Sequence, residues 1–411
     1  MRSSNRGYIL IEALIAVAGL LALMAILVSD QTVRMDQVQS GLRQIRAEAC
    51  ADAAVQQALA VISTTNAGLV TINDHWAQLG SAGAEEFDFP DGSSFREQVV
   101  DASSLINLNK ATSAQMEQLP LDQDQVDSFL DWIQAGENAR ADGAKDSFYN
   151  GLPTPYNAKL GPLTTVNELT LINNWTAQTI YQSPTLSTIL PLSTDTSGSV
   201  LPIAALLTVD SGSPLYSPTG TNLINLNTRT VSYRSLRTAG VNAFLANEII
   251  ERLPIANFLT LFSLRGITTA QKEILLNTVT FTTGTRAVGT VNLNTATLPV
   301  LESIPQVTPA IAASIVDQQS SGFQTLGQMA TIGFSARQLD LVANQFSVGS
   351  DTWIVRAYGE SGGVGDAVEA VVGFRSNHLE IISVNRLHTG GIPAWWGWDQ
   401  ATSTQQAGVT Q

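Results

Sequence analysis

Three histidines, His75, His378 and His388, are the only imidazoles in a chain of 411 residues. None stands at a metal-ligand spacing. The single cysteine, Cys50, has no histidine near it in sequence to activate it. It reads as a small apolar residue on a helix face. No G-x-S-x-G elbow and no phosphate-cradling G-x-x-x-x-G-K loop occurs. The usual catalytic constellations are therefore excluded, and the chain reads as a protein without catalysis of its own. The side chain most at odds with its surroundings is Glu12. It lies in "RGYILIEALIAVAGLLALMAILVSD", residues 6–30, which is apolar from Tyr8 to Val28. A carboxylate in hydrocarbon costs about 3 kcal/mol on insertion scales, so an intramembrane ionisable residue is a functional candidate by default.

The element that carries Glu12 must be a helix. The apolar run has about the 20 residues a tilted spanning helix needs. Arg2 and Arg6 precede it, which puts the N-terminus on the cytoplasmic side and the bulk of the chain outside. A cleaved secretory signal would be shorter and end at a clean A-x-A site, which is lacking here. Apolar residues continue at Val38, Leu42, Ile45, Ala49, Val55, Leu59 and Ile62, recurring every three or four positions. No proline precedes Pro90 and the first breaker is "NAGL" at 66–69. One helix from Tyr8 to Ile62 would be roughly 80 Å long. Its first half would lie in lipid, its second on a globular domain.

Composition bounds the partners. Hydrophobic residues make up 44% and charged residues 14%, so the chain can bury a core. The net charge is −14, which opposes nucleic acid or anionic lipid as a general partner. One cysteine excludes an intramolecular disulfide.

The middle of the chain repeats. "INLNKATSAQMEQLP" (106–120) and "VNLNTATLPVLESIP" (291–305) align without gaps, and "INLNTRT" begins one more copy at Ile224, so that in chain order the three repeats start at 106, 224 and 291. Asn107 matches Asn292, Asn109 matches Asn294, and Thr112 matches Thr297. Each copy reads as a strand-like entry, a helix that Thr112 or Thr297 can cap, a tight turn, a second helix and a further helical segment. The turn "IPQV" carries Gln306 where a DNA-gripping helix-hairpin-helix has glycine, and Glu302 and Asp317 flank it. That makes a poor phosphate cradle and a plausible packing unit. The segments "EEFDFPDGSSFREQVVD" (85–101), "DTWIVRAYGE", "DAVEAVVGFR" and "HLEIISVNR" (351–386) read as strands of an antiparallel sheet. The Ser/Thr/Pro-rich stretch 183–199 reads as a loop.

Two resemblances follow from these motifs. "RG|YILIEALIAVAGLL" resembles a type IV prepilin leader. This implies cleavage after Gly7 by prepilin peptidase, N-methylation of Tyr8, and pairing of Glu12 with the N-terminal amine of a neighbouring subunit, which reduces its burial cost. A plain signal anchor with a stray glutamate is the alternative. "FLDWIQAGENARADGAKDSFYNGLPTPYNAKLGPLTTVNELTLI" (129–172), with "VNLNTAT…IPQVTPAIAASIV…GFQTLGQM", resembles the minor pseudopilin K family of type II secretion. The resemblance runs from the leader to about Arg386. It implies an α+β fold, a pilin-like long N-terminal helix on a small antiparallel sheet with a large all-α insert of helix-hairpin-helix, SAM-like repeats. The expected boundaries are leader 1–7, transmembrane 8–28, pilin-like 29–105, insert 106–346, pilin-like strands 347–386 and flexible tail 387–411.

The resemblance further implies an inner-membrane, single-pass protein at or near the tip of a pseudopilus, with its globular parts in the periplasm. Its partners would be the other minor pseudopilins (I, J and H type), the major pseudopilin and prepilin peptidase. It also implies calcium, whose hard oxygen ligands would come from Asp131, Glu137, Asp142 and Asp146; a solvated acidic loop is the alternative. Relatives commonly lack the membrane glutamate, so Glu12 is a departure. A membrane-anchored DNA-uptake protein and a type IV pilus minor pilin are the competing functions.

Overall fold

The computed structural model describes residues 5–183, 200–376, 378–387 and 391–398; side chains are described from residue 10 onward. The leader's first four residues, His388 and most of the 183–199 loop lie outside the described residues. A 58-residue helix, α1 (Asn5–Ile62), opens the chain. It is the one helix among the described residues long and apolar enough to cross a membrane. Its continuity follows from the absence of proline and from the scarcity of β-branched runs. Past its end, Ser63 and Thr64 turn their hydroxyls onto the carbonyls of Ala60 and Val61.

The last third of α1 packs on a five-stranded antiparallel sheet. In chain order its strands are β1 (Glu86–Asp88), β2 (Ser93–Asp101), β3 (Thr352–Ser361), β4 (Val364–Arg375) and β5 (His378–Leu387), and the spatial order is the same. Alternation sets the faces. Phe95, Val99, Trp353, Val355, Ala357, Val368, Ala370 and Val372 point at the helix and form one core with Cys50, Ala51, Ala54, Val55, Ala58 and Ile62. Ala47, Ala51, Ala54 and Ala58, spaced four, three and four apart, keep that helix face thin. Gly359 receives it: a Cβ there would lie 2.1 Å from the Ala47 carbonyl oxygen and 2.6 Å from the Ala51 nitrogen.

The helix face predicted to pack was partly wrong. Val55 and Ile62 are buried, but Val38, Leu42 and Ile45 are 50–63% exposed and Ala49 is exposed. The sheet reaches the helix only near Arg43 and Arg46, where Gly362 and Asp91 stand. Everything N-terminal to that projects beyond it.

Between β2 and β3 the chain builds short helices around a second, separate core, running from Ile106 to Val348. The three repeats share one local geometry. Ile106–Asn107, Ile224–Asn225 and Val291–Asn292 each pair in parallel with a two-residue strand, 207–208, 279–280 and 346–347. In each, the first asparagine side chain accepts the amide of the residue two further on, at 3.0, 2.8 and 3.0 Å. The second asparagine ties a distant strand of backbone: Asn109 to Leu163 and Val209, Asn227 to Phe281, Asn294 to Phe323. Asparagine recurs because only its short amide both accepts and donates at these two positions. Thr112 caps through its hydroxyl, whereas Thr297 occupies the cap position without a side-chain bond.

Candidate functional site: assembly helix, junction and acidic loop

Glu12 lies on the exposed part of α1, amid Leu10, Ile11, Leu14 and Ile15, all well exposed. Gly7 and Tyr8 fall within the first turns of the same helix. From Leu10 to Ile45 the helix presents apolar side chains that no other part of the chain covers among the described residues. Val38, Leu42 and Ile45, at spacings of four and three, form a stripe on the stretch between the membrane-length segment and the sheet. Such spacing is what a second helix packs against.

The helical region is fastened to the sheet by buried polar groups. Asp101, 1% exposed at the end of β2, accepts hydrogen bonds from the Ser103 amide, Asn292 Nδ2 and Thr295 Oγ1, at 2.8, 2.8 and 2.6 Å. Burial pushes its pKa up, and those donors work against that rise. Asn292 also donates to the Val70 carbonyl at 3.0 Å, joining the third repeat to the end of α1's domain. Nearby, Arg286 forks onto Asp351 with bonds of 2.7 and 2.6 Å and reaches Asp210 at 2.7 Å; Arg375 of β4 holds the other oxygen of Asp210 at 2.7 Å. The bidentate fork fixes the orientation of the insert as well as its attachment.

A further tie comes from the C-terminal segment, expected to be a flexible tail. Trp396 and Trp398 are buried, 3% and 6% exposed, against Ala367 of β4. Trp398 donates to Gln98 at 2.9 Å and lies under the Arg96 guanidinium at 5.3 Å. Trp395 meets the ring of Tyr181 at 4.5 Å, and Gly397, at φ 71°, lets the chain pass Leu201. Large aromatic area, about 150–250 Å² per ring, explains why this short segment docks. Three tryptophans within four residues are the signal from which this docking could have been read, though not what the segment docks against.

The four carboxylates expected to hold calcium are not gathered. Among the described residues no group of three or more His, Cys, Asp or Glu is arranged for a metal. Asp131 is buried and bound by Arg140, through Nη1 at 2.6 Å and the backbone amide at 2.9 Å. Asp146 accepts the Ala158 amide at 2.7 Å. Glu137 and Asp142 are exposed. A cleft of about 1260 Å³ opens beside Tyr216, Leu223, Phe258, Phe281 and Val348. Among the described residues its ionisable lining side chains are those of Arg234 and Tyr216.

Comparison with known proteins gives three similarities. The family described as type II secretion system (T2SS), protein K, matches residues 98–191. A curated Escherichia coli (strain K12) protein bearing the name of type II secretion system protein K is 28% identical over 210 residues. That match takes in 44% of this chain, and the chain spans 61% of the length of that relative. A chain of the crystal structure of the GspK-GspI-GspJ complex from the enterotoxigenic Escherichia coli type 2 secretion system is similar at 14% identity and a TM-score of 0.48. It covers 87% of this chain and 100% of that one. The resemblance read from the motifs is thus matched by the protein K family model over residues 98–191 and by the similarity to the curated protein K relative.

Proposed function

We propose that the protein is a structural minor pseudopilin of type II secretion, at or near the tip of a pseudopilus, where it helps start assembly and export across the outer membrane. The observation that carries this reading is α1: one helix whose N-terminal half is apolar and uncovered and whose last third packs on a sheet. Such a helix is an anchor before assembly and a packing element after it. On this reading the leader is removed after Gly7, Tyr8 is methylated, and the mature amine lies within reach of Glu12 of a neighbour. The globular parts, 29–105 with 347–386 and the insert 106–346, are periplasmic. Other minor pseudopilins pack along α1, and the bulk of the insert obstructs addition above it.

The repeats support a helix-hairpin-helix, SAM-like description of the insert used for packing. In the third repeat Ile304 and Val307 are buried, and Gln306 takes the left-handed turn at φ 79°. The matching turn of the second repeat has Gly240 at φ 94°. The acidic flanks Glu302 and Asp317 disfavour the DNA reading.

Glu12→Ala tests the proposal. The outer part should melt as the parent does, while pseudopilus formation and secretion fall sharply. Normal assembly and secretion in that variant would count against an intersubunit role for Glu12. Isolation of the full chain from membranes should bring down smaller pilin-type subunits, and mass analysis should find an N-methylated Tyr8 as the first residue.

A further inference from the structure

Calcium is the metal that the family resemblance implies for the 131–146 loop, and the residues present do not fit it. Calcium needs six to eight oxygens converging at 2.3–2.6 Å. Here the converging oxygens already have partners. The Lys145 ammonium, 4% exposed, donates to the backbone carbonyls of Asp131 and Gln134, both at 2.6 Å. Arg140 takes both carboxylate oxygens of Asp131, and its Nη2 reaches Gln134 Oε1 at 2.6 Å. Gly143 is pressed against the same carboxylate: a Cβ there would stand 2.0 Å from Asp131 Oδ2.

We infer that the chain closes this loop with its own cations, Lys145 and Arg140, and that the loop neither needs nor binds calcium. The placement has a physical logic. Asp131 and Gln134 belong to the last turn and C-cap of the helix Gln123–Ile133, where carbonyls lack intrahelical partners and carry the negative end of the helix dipole. An ammonium there satisfies two carbonyls at once. A calcium ion sharing those oxygens would face Lys145 at contact distance. Displacing Lys145 would instead leave a buried ammonium without acceptors. Arg140 neutralises the buried Asp131 without an external ion.

The test uses the full chain in detergent. Titration with calcium chloride should give no saturable binding heat at millimolar concentration. Hydrogen exchange across 131–146 should be equally slow in calcium and in EGTA. Saturable calcium binding, or protection that is lost in EGTA and restored by calcium, would overturn the inference. Lys145→Met, which keeps the apolar stem and removes the ammonium, should speed exchange in this loop by roughly tenfold or more, because charge-assisted bonds are lost. The acceleration should stay confined to the loop. Unchanged exchange in that variant would overturn the role given to Lys145.

Discussion

Glu97 stands in the middle of β2, fully buried between Phe95 and Val99 on the face that α1 covers. Neither carboxylate oxygen has a hydrogen-bond partner among the described residues. Burial, reinforced by the nearby charge of Glu85, raises its pKa from 4.5 to about 7. The native state therefore holds a proton that the unfolded chain gives up near 4.5. Stability is greatest below that pH, declines as pH rises to about 7, and is flat above. The full decline is about 3 kcal/mol for this one group. Glu97→Gln should remove that slope, measured as urea midpoints at pH 5 and pH 8; an unchanged slope would show that other groups set it. Residue types alone did not reveal Glu97, but strand parity could have. In "SFREQVV" the position two after Phe95 and two before Val99 must share their face. Glu12 and the basic residues of the acidic loop show the contrast. A carboxylate inside an apolar run is conspicuous, whereas nothing in the sequence around Lys145 points to its two carbonyl partners.

At the scale of elements, α1 and the repeats were the most legible parts. The asparagine pattern predicted three equivalent units, and the first asparagine of each pair makes the same turn. Less legible was which face of α1 packs. The stripe Val38, Leu42 and Ile45 has perfect helical spacing, but it lies beyond the reach of the sheet; periodicity identifies an apolar face, not what covers it. The buried stripe is made of alanines, which hydropathy weighs lightly. Its docking rests on Gly359, and Gly359→Val should destabilise the helix–sheet unit by several kcal/mol, since backbone atoms must move. The same variant should leave the helical insert's own melting largely intact, checked by domain-resolved hydrogen exchange. Gln306 offers the opposite case. An L-residue in the left-handed region costs about 1–2 kcal/mol. Gln306→Gly should raise the stability of the insert by up to about 1 kcal/mol, visible as a higher urea midpoint at unchanged slope.

For the molecule as a whole, two cores must act as one body if the insert is to be carried at a defined angle on α1. Three ties do this: Asp101 with Asn292, Arg286 with Asp351 and Asp210, and the tryptophan segment. Their partners are far apart in sequence, which is why the sequence offered no sign of the pairings. Removing one partner of a buried ion pair costs about 3–5 kcal/mol, so Arg286→Ala should loosen the insert from the sheet, seen as faster exchange at 207–214 and 286–292. Trp396→Ala should cost about 3 kcal/mol and free the C-terminal segment to proteolysis. Both outcomes keep α1 and its exposed stripe unchanged, and that stripe is where the functional account is most exposed to test. A photo-crosslinking residue placed at Leu42 in the full chain, in cells that assemble the secretion machinery, should give adducts with other pilin-type subunits, while the same probe at buried Ala54 gives none. Abundant Leu42 probe with no adduct to such subunits in secreting cells would contradict the assembly role.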